Sequence, residues 1–320
     1  MTTFPLFQLP SLAMEHVLYM MNPYELINIS RISSRSKRVV KRIKCKFSIF
    51  LIISNEPCII IFGKQKSWTF NWVSYESVSG YEEYTKFDNI YHKINKYSET
   101  PIEELLKLSD YIREVFGSQR HCVQFHLSLF PNQNKFITDW LSPYSMACID
   151  ISSDDKDNDD DLKYVVSNVN VIDSMTLEIS NYKEDFQMEI PSTPYDVLIN
   201  DSSFIKLEQV LRLENRRICL CLSRLTAKEI NGFLKSWMSC ESHFDLEAFD
   251  INISGPEAMD VIMDLLHEET ADPNVVKTFR DKFYRPEIQE GFDIKRCDGT
   301  VATVCYGRHS CGPRFFMLVR

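Results

Sequence analysis

Residues 172–180, Ile-Asp-Ser-Met-Thr-Leu-Glu-Ile-Ser, and residues 246–254, Leu-Glu-Ala-Phe-Asp-Ile-Asn-Ile-Ser, share one spacing: Ile172, Met175, Leu177 and Ser180 in the first, Leu246, Phe249, Ile251 and Ser254 in the second. Each stretch is centred on a strand of residues that suit a pleated surface. Around them the sequence alternates. Strands are predicted near Met175–Ile179, Val197–Ile199, Ile218–Leu222 and Leu246–Ile253, and helices near Phe204–Leu213, Thr226–Met238 and Glu257–Glu268. Such alternation argues for repeated α/β units.

From Val197 to Ile218 is 21 positions and from Ile218 to Leu246 is 28. Both fit the ~20–29 residues of a leucine-rich repeat. Ser stands where that repeat carries Asn, and the intervals are irregular. The body therefore reads as an irregular leucine-rich-repeat-like α/β domain, with an unrelated α/β layer fold as the alternative. Upstream, Thr100-Pro101-Ile102-Glu103 has helix-start chemistry and Gly117 suits the stop. A strand at Cys122–Leu129 and a helix at Asn132–Leu141 follow. Downstream, Asp298-Gly299 sits between Phe292–Cys297 and Val301–Tyr306, which predicts a hairpin. Arg314–Val319 adds a further strand, so the chain is expected to end in antiparallel strands. Ser152–Asp161, acidic with one Lys, reads as a solvated mobile loop.

The N-terminal stretch has a different period. A helix is expected over about Ser11–Met21, with Leu12, Val17, Met20 and Met21 on its apolar faces. Asn22-Pro23-Tyr24-Glu25 then starts a second helix: Asn22 offers the cap oxygen, Pro23 suits the first helical position and Glu25 completes a capping box. A third begins near Ser33, with Val39, Val40 and Ile43 on one side and Arg35, Lys37, Arg38, Lys41 and Arg42 on the rest. Beyond residue 45, Phe47–Ile53 and Cys58–Phe62 are β-branched and aromatic, and Asn55-Glu56-Pro57 breaks them as a hairpin turn. The expected organisation is a helical domain over 1–45 and an α/β (α+β) domain over 46–320. Roughly 40 residues rarely hold a core alone, so the helical segment either packs on the rest of the chain or docks on a partner. Exposed apolar helix surface is the mark of the second case.

Composition is that of an ordinary globular chain: 320 residues, 44% hydrophobic and 25% charged. The net charge of −9 is unevenly spread. Residues 1–44 hold seven Lys or Arg against two Glu, a net of +5, which leaves −14 for the remainder. An acidic body argues against a nucleic-acid footprint, and only Arg31–Lys46 could supply one. The ten cysteines are diluted over a long chain and Met1–Pro10 lacks the pattern of a secretory signal. Free thiols in a reducing, intracellular compartment (cytoplasmic, nuclear or both) are expected. Phe47–Phe62, the most apolar stretch, is too short and too interrupted to span a membrane, so no membrane partner is expected.

Leu9-Pro10, Val17, Met21, Pro23 and Leu26 have a recognisable register. This segment resembles an F-box. The family pattern is Leu-Pro, an aliphatic residue eight positions after the Leu, another four later, Pro two later and Leu three after that. Many F-boxes also carry a Trp after Ser-Lys-Arg, whereas Ser36-Lys37-Arg38 is followed here by Val39. Phe233-Leu234-Lys235-Ser236-Trp237 and the run from Ile294 to Thr303 resemble the type-2 F-box-associated domain found after the F-box in many nematode proteins. Phe4-Pro5-Leu6 fits the same group. The resemblance implies that Leu9, Pro10, Val17, Met21, Pro23 and Leu26 face a Skp-family adaptor, which links the chain to a cullin scaffold. The C-terminal domain would then hold a protein target for ubiquitination. A protein-binding scaffold with a vestigial F-box is the alternative.

Other motifs carry less. Asp155-x-Asp157-x-Asp159 hints at a calcium loop, but Asp160 and Val166 stand where that loop needs Gly and Glu. Cys219-x-Cys221 alternates in a strand, so both thiols share one face, read as buried core rather than metal site. His121-Cys122 and His309-Ser310-Cys311 suggest a thiol nucleophile without a visible base or oxyanion partner. No Gly-rich phosphate loop is present. No enzymatic activity, catalytic residue, cofactor or metal is expected.

Overall fold

The computed structural model describes residues 6–43, 47–117, 120–270, 274–283, 287–309 and 312–320. It divides into two units, Met1–Phe125 and His126–Arg320.

The first unit opens with three helices, α1 (Ser11–Tyr19), α2 (Pro23–Ile32) and α3 (Ser34–Arg42). The reciprocal cap predicted for α2 is present. Asn22 Oδ1 accepts from the Glu25 amide at 3.0 Å, and Glu25 Oε2 accepts from the Asn22 amide at 2.8 Å. Ser33 ends α2 in extended geometry and caps α3, exchanging hydrogen bonds with Ser36. Then come β1 (Ser48–Ile53), β2 (Cys58–Phe62), β3 (Lys66–Val73), β4 (Gly80–Lys86), β5 (Asn89–Tyr97), α4 (Pro101–Phe116) and β6 (Arg120–His126). The strands lie in the order β6-β1-β2-β3-β5-β4. β1 and β2 form the expected hairpin, while β1–β6 and β3–β5 are parallel. Helix α4 starts at Pro101 without a side-chain cap from Thr100, and it stops at Gly117, where φ is +80°.

The second unit contains α5 (Asn134–Leu141), β7 (Ser145–Ser153), α6 (Asp159–Asn168), β8 (Asn170–Ile179), β9 (Asp196–Ile199), α7 (Leu207–Val210) and β10 (Arg217–Leu220). It continues with α8 (Ala227–Met238), β11 (Ala248–Asn252), α9 (Ala258–Ile262), β12 (Glu268–Glu269), α10 (Val275–Lys282), β13 (Glu287–Lys295), β14 (Val301–His309) and β15 (Gly312–Val319). Strands β7 to β11 are parallel neighbours in sequence order. Ile149 pairs with Met175, Met175 with Val197, Val197 with Ile218 and Ile218 with Phe249, so one rung recurs after 26, 22, 21 and 31 residues. A second buried rung runs through Ile151, Leu177, Ile199, Leu220 and Ile251. Both rungs point to one face, because side chains alternate along a strand. After β11 the direction reverses, and β15, β14, β13 and β12 continue antiparallel. The architecture is three N-terminal helices followed by a large mixed sheet with helices.

Four expectations change. Ser152–Asp161 is not a loop. It covers the end of β7, a short 3-10 turn at Lys156–Asn158 and the first turn of α6. Asp159, Asp160 and Asp161 sit at the helix N-terminus, where negative charge is favoured. Asp159 accepts from the Lys183 amide and Asp161 from Asn134 Nδ2. The helix predicted over Phe204–Leu213 is one turn, α7. The helix predicted over Glu257–Glu268 ends at Ile262, where Asn231 Nδ2 donates to the carbonyls of Ile262 and Asp264. Finally, Cys240 and Cys297 form a disulfide with Cα atoms 6.3 Å apart. The Asp298-Gly299 hairpin brings Cys297 there, with Gly299 at φ +95°.

Leu177 is fully buried in the parallel array. Leu177→Ala should cost about 2–5 kcal/mol of stability in chemical denaturation. Burial holds the His243 imidazole down at about 4. Its neutral form is therefore favoured in the folded chain, and its contribution is complete above about pH 6.5 and lost as pH falls toward 4. Unfolding free energy measured across that window should decline by up to roughly 3 kcal/mol on account of this group, and His243→Asn should flatten the decline.

Candidate functional site

Helices α2 and α3 are fastened to their own unit. The Tyr24 hydroxyl lies 2.7 Å from the Thr69 carbonyl and 2.9 Å from that of His92. Its ring meets Phe70 edge to face at 4.8 Å. Burial raises the Tyr24 phenol well above its ordinary value, so it stays a donor. Leu26 and Ile27 are buried, and Ser30 Oγ is 2.9 Å from Tyr111 of α4. Part of the basic face of α3 is used the same way. Lys37 and Lys41 reach Glu114 of α4 at 2.6 and 2.9 Å, and their hydrogen bonds lower its carboxyl. Arg31 and Lys37 also lie over the Tyr111 ring, at 4.9 and 4.7 Å. Lys44 and Lys46 lie outside the described residues.

Helix α1 is held far less. Leu18 is its single buried residue. Leu12 is 66% exposed, Tyr19 58% and Met20, just past the end, 82%. Of the residues singled out by the F-box register, Pro10 is exposed and Leu9, Val17 and Met21 are half-buried. Pro23 and Leu26 are buried within the chain. The structure thus gathers Leu9, Pro10, Val17 and Met21 around an open apolar helix. Pro23 and Leu26 are not part of that open surface, since both are buried on α2. Leu12, Tyr19 and Met20 are accessible apolar groups that the register omits. Their signal was the lack of any polar face on α1, whose only charged side chain is Glu15.

In the second unit, the face opposite the buried rungs carries polar groups. Cys219 and Cys221 are there, half-buried beside a cleft of about 450 Å³. The expectation of core cysteines fails because Ile218 and Leu220 take the core positions of β10. The stretches 233–237 and 294–303 come together: Arg296 lies over the Trp237 ring at 5.3 Å, and the Cys297 amide donates to Met238 O at 2.8 Å. His121 is half-buried, and burial lowers its imidazole to about 4. Ser310 and Cys311 lie outside the described residues. Among the described residues no cluster of three or more His, Cys, Asp or Glu could hold a metal ion. No described helix is long and apolar enough to cross a membrane.

Residues 6–48 match the family model of the F-box domain, and residues 179–251 match that of an F-box associated domain. The first match covers α1–α3, and the second runs from the end of β8 into β11. A Caenorhabditis elegans protein called Skn-1 dependent zygotic transcript 15 protein is 23% identical over 358 aligned positions, spanning 98% of this chain and 96% of that one. No solved structure matches the chain.

Tyr24→Phe removes the donor that the Thr69 and His92 carbonyls share. It should cost about 1–3 kcal/mol in denaturant unfolding, while leaving the exposed residues of α1 in place.

Proposed function

We propose that this chain is the substrate-recognition adaptor of a Skp-cullin-F-box ubiquitin ligase. The F-box docks on a Skp-family adaptor, and through it on a cullin, while the domain after residue 45 holds a protein target. The supporting observation is the open apolar surface of α1, inside the segment that matches the F-box model. The folded chain by itself gains nothing from Leu12, Tyr19 and Met20 while they face water, whereas a partner groove that covers them recovers their burial. Leu9, Pro10, Val17 and Met21 belong to the contact, whereas Pro23 and Leu26 are already covered within the chain. The domains involved are adaptor modules. Ubiquitin transfer then depends on proximity, since a tethered target lysine meets the loaded conjugating enzyme at high effective concentration. An intracellular site of action follows from that assembly.

The burial of Pro23 and Leu26 favours a second reading, a scaffold whose F-box no longer recruits the adaptor. One experiment separates the two. Full-length chain and a Skp-family adaptor, co-expressed and purified, should form a stable complex. Leu9→Ala with Pro10→Ala should weaken it by at least ~1 kcal/mol in calorimetry, and Leu12→Asp should weaken it further. Absence of any complex with a folded chain would favour the scaffold.

A further inference from the structure

The outward face of β9–β11 carries a paired thiol. Alternation along β10 sends Ile218 and Leu220 into the core and Cys219 and Cys221 to the cleft. Arg314, at the start of β15, has a side chain only 1% exposed and touches both sulfurs. Its Nη1 is 3.2 Å from Cys221 Sγ and its Nη2 is 3.4 Å from Cys219 Sγ. Its Nε donates to Asp250, and Nη2 also reaches the Leu220 carbonyl at 3.2 Å. Cys219 Sγ lies 3.4 Å from Asp250 Oδ2. A guanidinium only donates, so the sulfur facing Nη1 must accept, and a thiolate accepts best. Cys219 carries a proton that Asp250 or Cys221 can take.

The plainer account is that both thiols merely pack around a buried Arg–Asp pair. Packing thiols would be sealed, however, and these line an open cleft of about 450 Å³, in the size range of small-molecule sites. The C-terminal end of α10 overhangs it. Lys282 is exposed there, its carbonyl accepts from Arg217 Nη2 at 2.9 Å, and Phe283 packs on Phe316 at 5.1 Å. Among the described residues, five charged side chains line the cleft: Arg217, Lys282 and Arg314 against Asp196 and Asp250. Asp196 pairs with Arg217, and Asp250 with Arg314. A thiolate at Cys221 is the third negative charge, and its conversion to a neutral group leaves one cation in excess.

We propose that Cys221 is a nucleophilic thiol and that the cleft above it accepts a carboxylate-bearing low-molecular-weight disulfide, which leaves a mixed disulfide on Cys221. The Cys221 thiolate attacks one sulfur of the incoming disulfide. A new S–S bond forms as the old one breaks, and the other half leaves as a thiolate, so no further oxidant enters. The electrostatics agree with the geometry. The hydrogen bond from Cys219 lowers Cys221 most, the Arg314 charge lowers it further, and burial opposes both. Cys219 is raised by the same hydrogen bond and keeps its proton. Residues two apart on a strand have Cα atoms roughly 6.6 Å apart, near the upper limit for a disulfide. Cys219 is therefore poorly placed to displace the adduct, and the mixed disulfide persists. The carboxylates of the retained half meet the cationic excess at Lys282.

The test uses the full chain, with oxidised glutathione as the anionic disulfide and cystamine as a cationic one. Adducts are located by peptide mass mapping over pH 5–9. Near pH 6 the greater thiolate fraction outweighs the lower intrinsic nucleophilicity, so Cys221 should react roughly tenfold faster than Cys58, Cys122, Cys148 or Cys305. Its rate should level off at lower pH than theirs, and glutathione should outpace cystamine. Cys219→Ala, which removes the donor, should keep the adduct at Cys221 but move the midpoint to higher pH. A first adduct at another thiol, equal rates at all thiols, or faster reaction with cystamine would overturn the proposal. None of these outcomes depends on adaptor binding.

Discussion

The second unit depends on one constraint, that side chains of a strand alternate between two faces. In β7–β11 the apolar set falls on a single face, and five parallel strands in sequence order stack it into continuous rungs such as Ile151, Leu177, Ile199, Leu220 and Ile251. Those rungs supply the buried area that holds the unit together. The same alternation releases the opposite face from packing duty. That face can then carry Asp196, Arg217, Cys219, Asp250 and Arg314, with charges held in pairs rather than left alone in a low-dielectric environment. Core and cleft are two results of one periodicity.

The first unit solves a different problem. Three short helices cannot make a core by themselves. Two of them are fixed to the sheet and to α4 through Tyr24, Ser30 and the Lys37–Glu114–Lys41 cluster. The ion pairs with exposed Glu114 add little stability, because water screens them, but they set the direction of α3. The burial of α2 leaves α1 attached through Leu18 and otherwise open. A helical segment that is half anchored in its own chain can present its remaining apolar surface in a defined orientation.

Much of this was legible in the residues. Asn22-Pro23-x-Glu25 is a local cap whose chemistry is complete within four residues, and it forms as read. Asp298-Gly299 marks its hairpin for the same reason, and the strand repeat shows because its apolar positions recur, at 21 to 31 residues, although the intervals are irregular. What failed needed information from farther away. Lys66–Val73, Gly80–Lys86 and Asn89–Tyr97 mix polar and aromatic residues without a clear alternation, so β3, β4 and β5 were not anticipated. The acidic run 152–161 looked solvated because its partners, Lys183 and Asn134, are more than 20 residues distant. The thiols at 219 and 221 were correctly placed on one face, but the wrong face was chosen. The pairing of Cys240 with Cys297 crosses 57 residues, beyond any local signal. In the candidate docking site, the register identified the segment but could not show that Pro23 and Leu26 are already covered.

The outermost strand of the second unit, β12, has two residues, Glu268 and Glu269, both exposed. A parallel stack of this kind would otherwise end in a row of unpaired amides and carbonyls, a template on which another copy could add strands without limit. The direction reverses at β15, and the margin strand carries two exposed carboxylates, a charge that an incoming strand must overcome. Like charges set side by side at that margin weigh against copies joining through it.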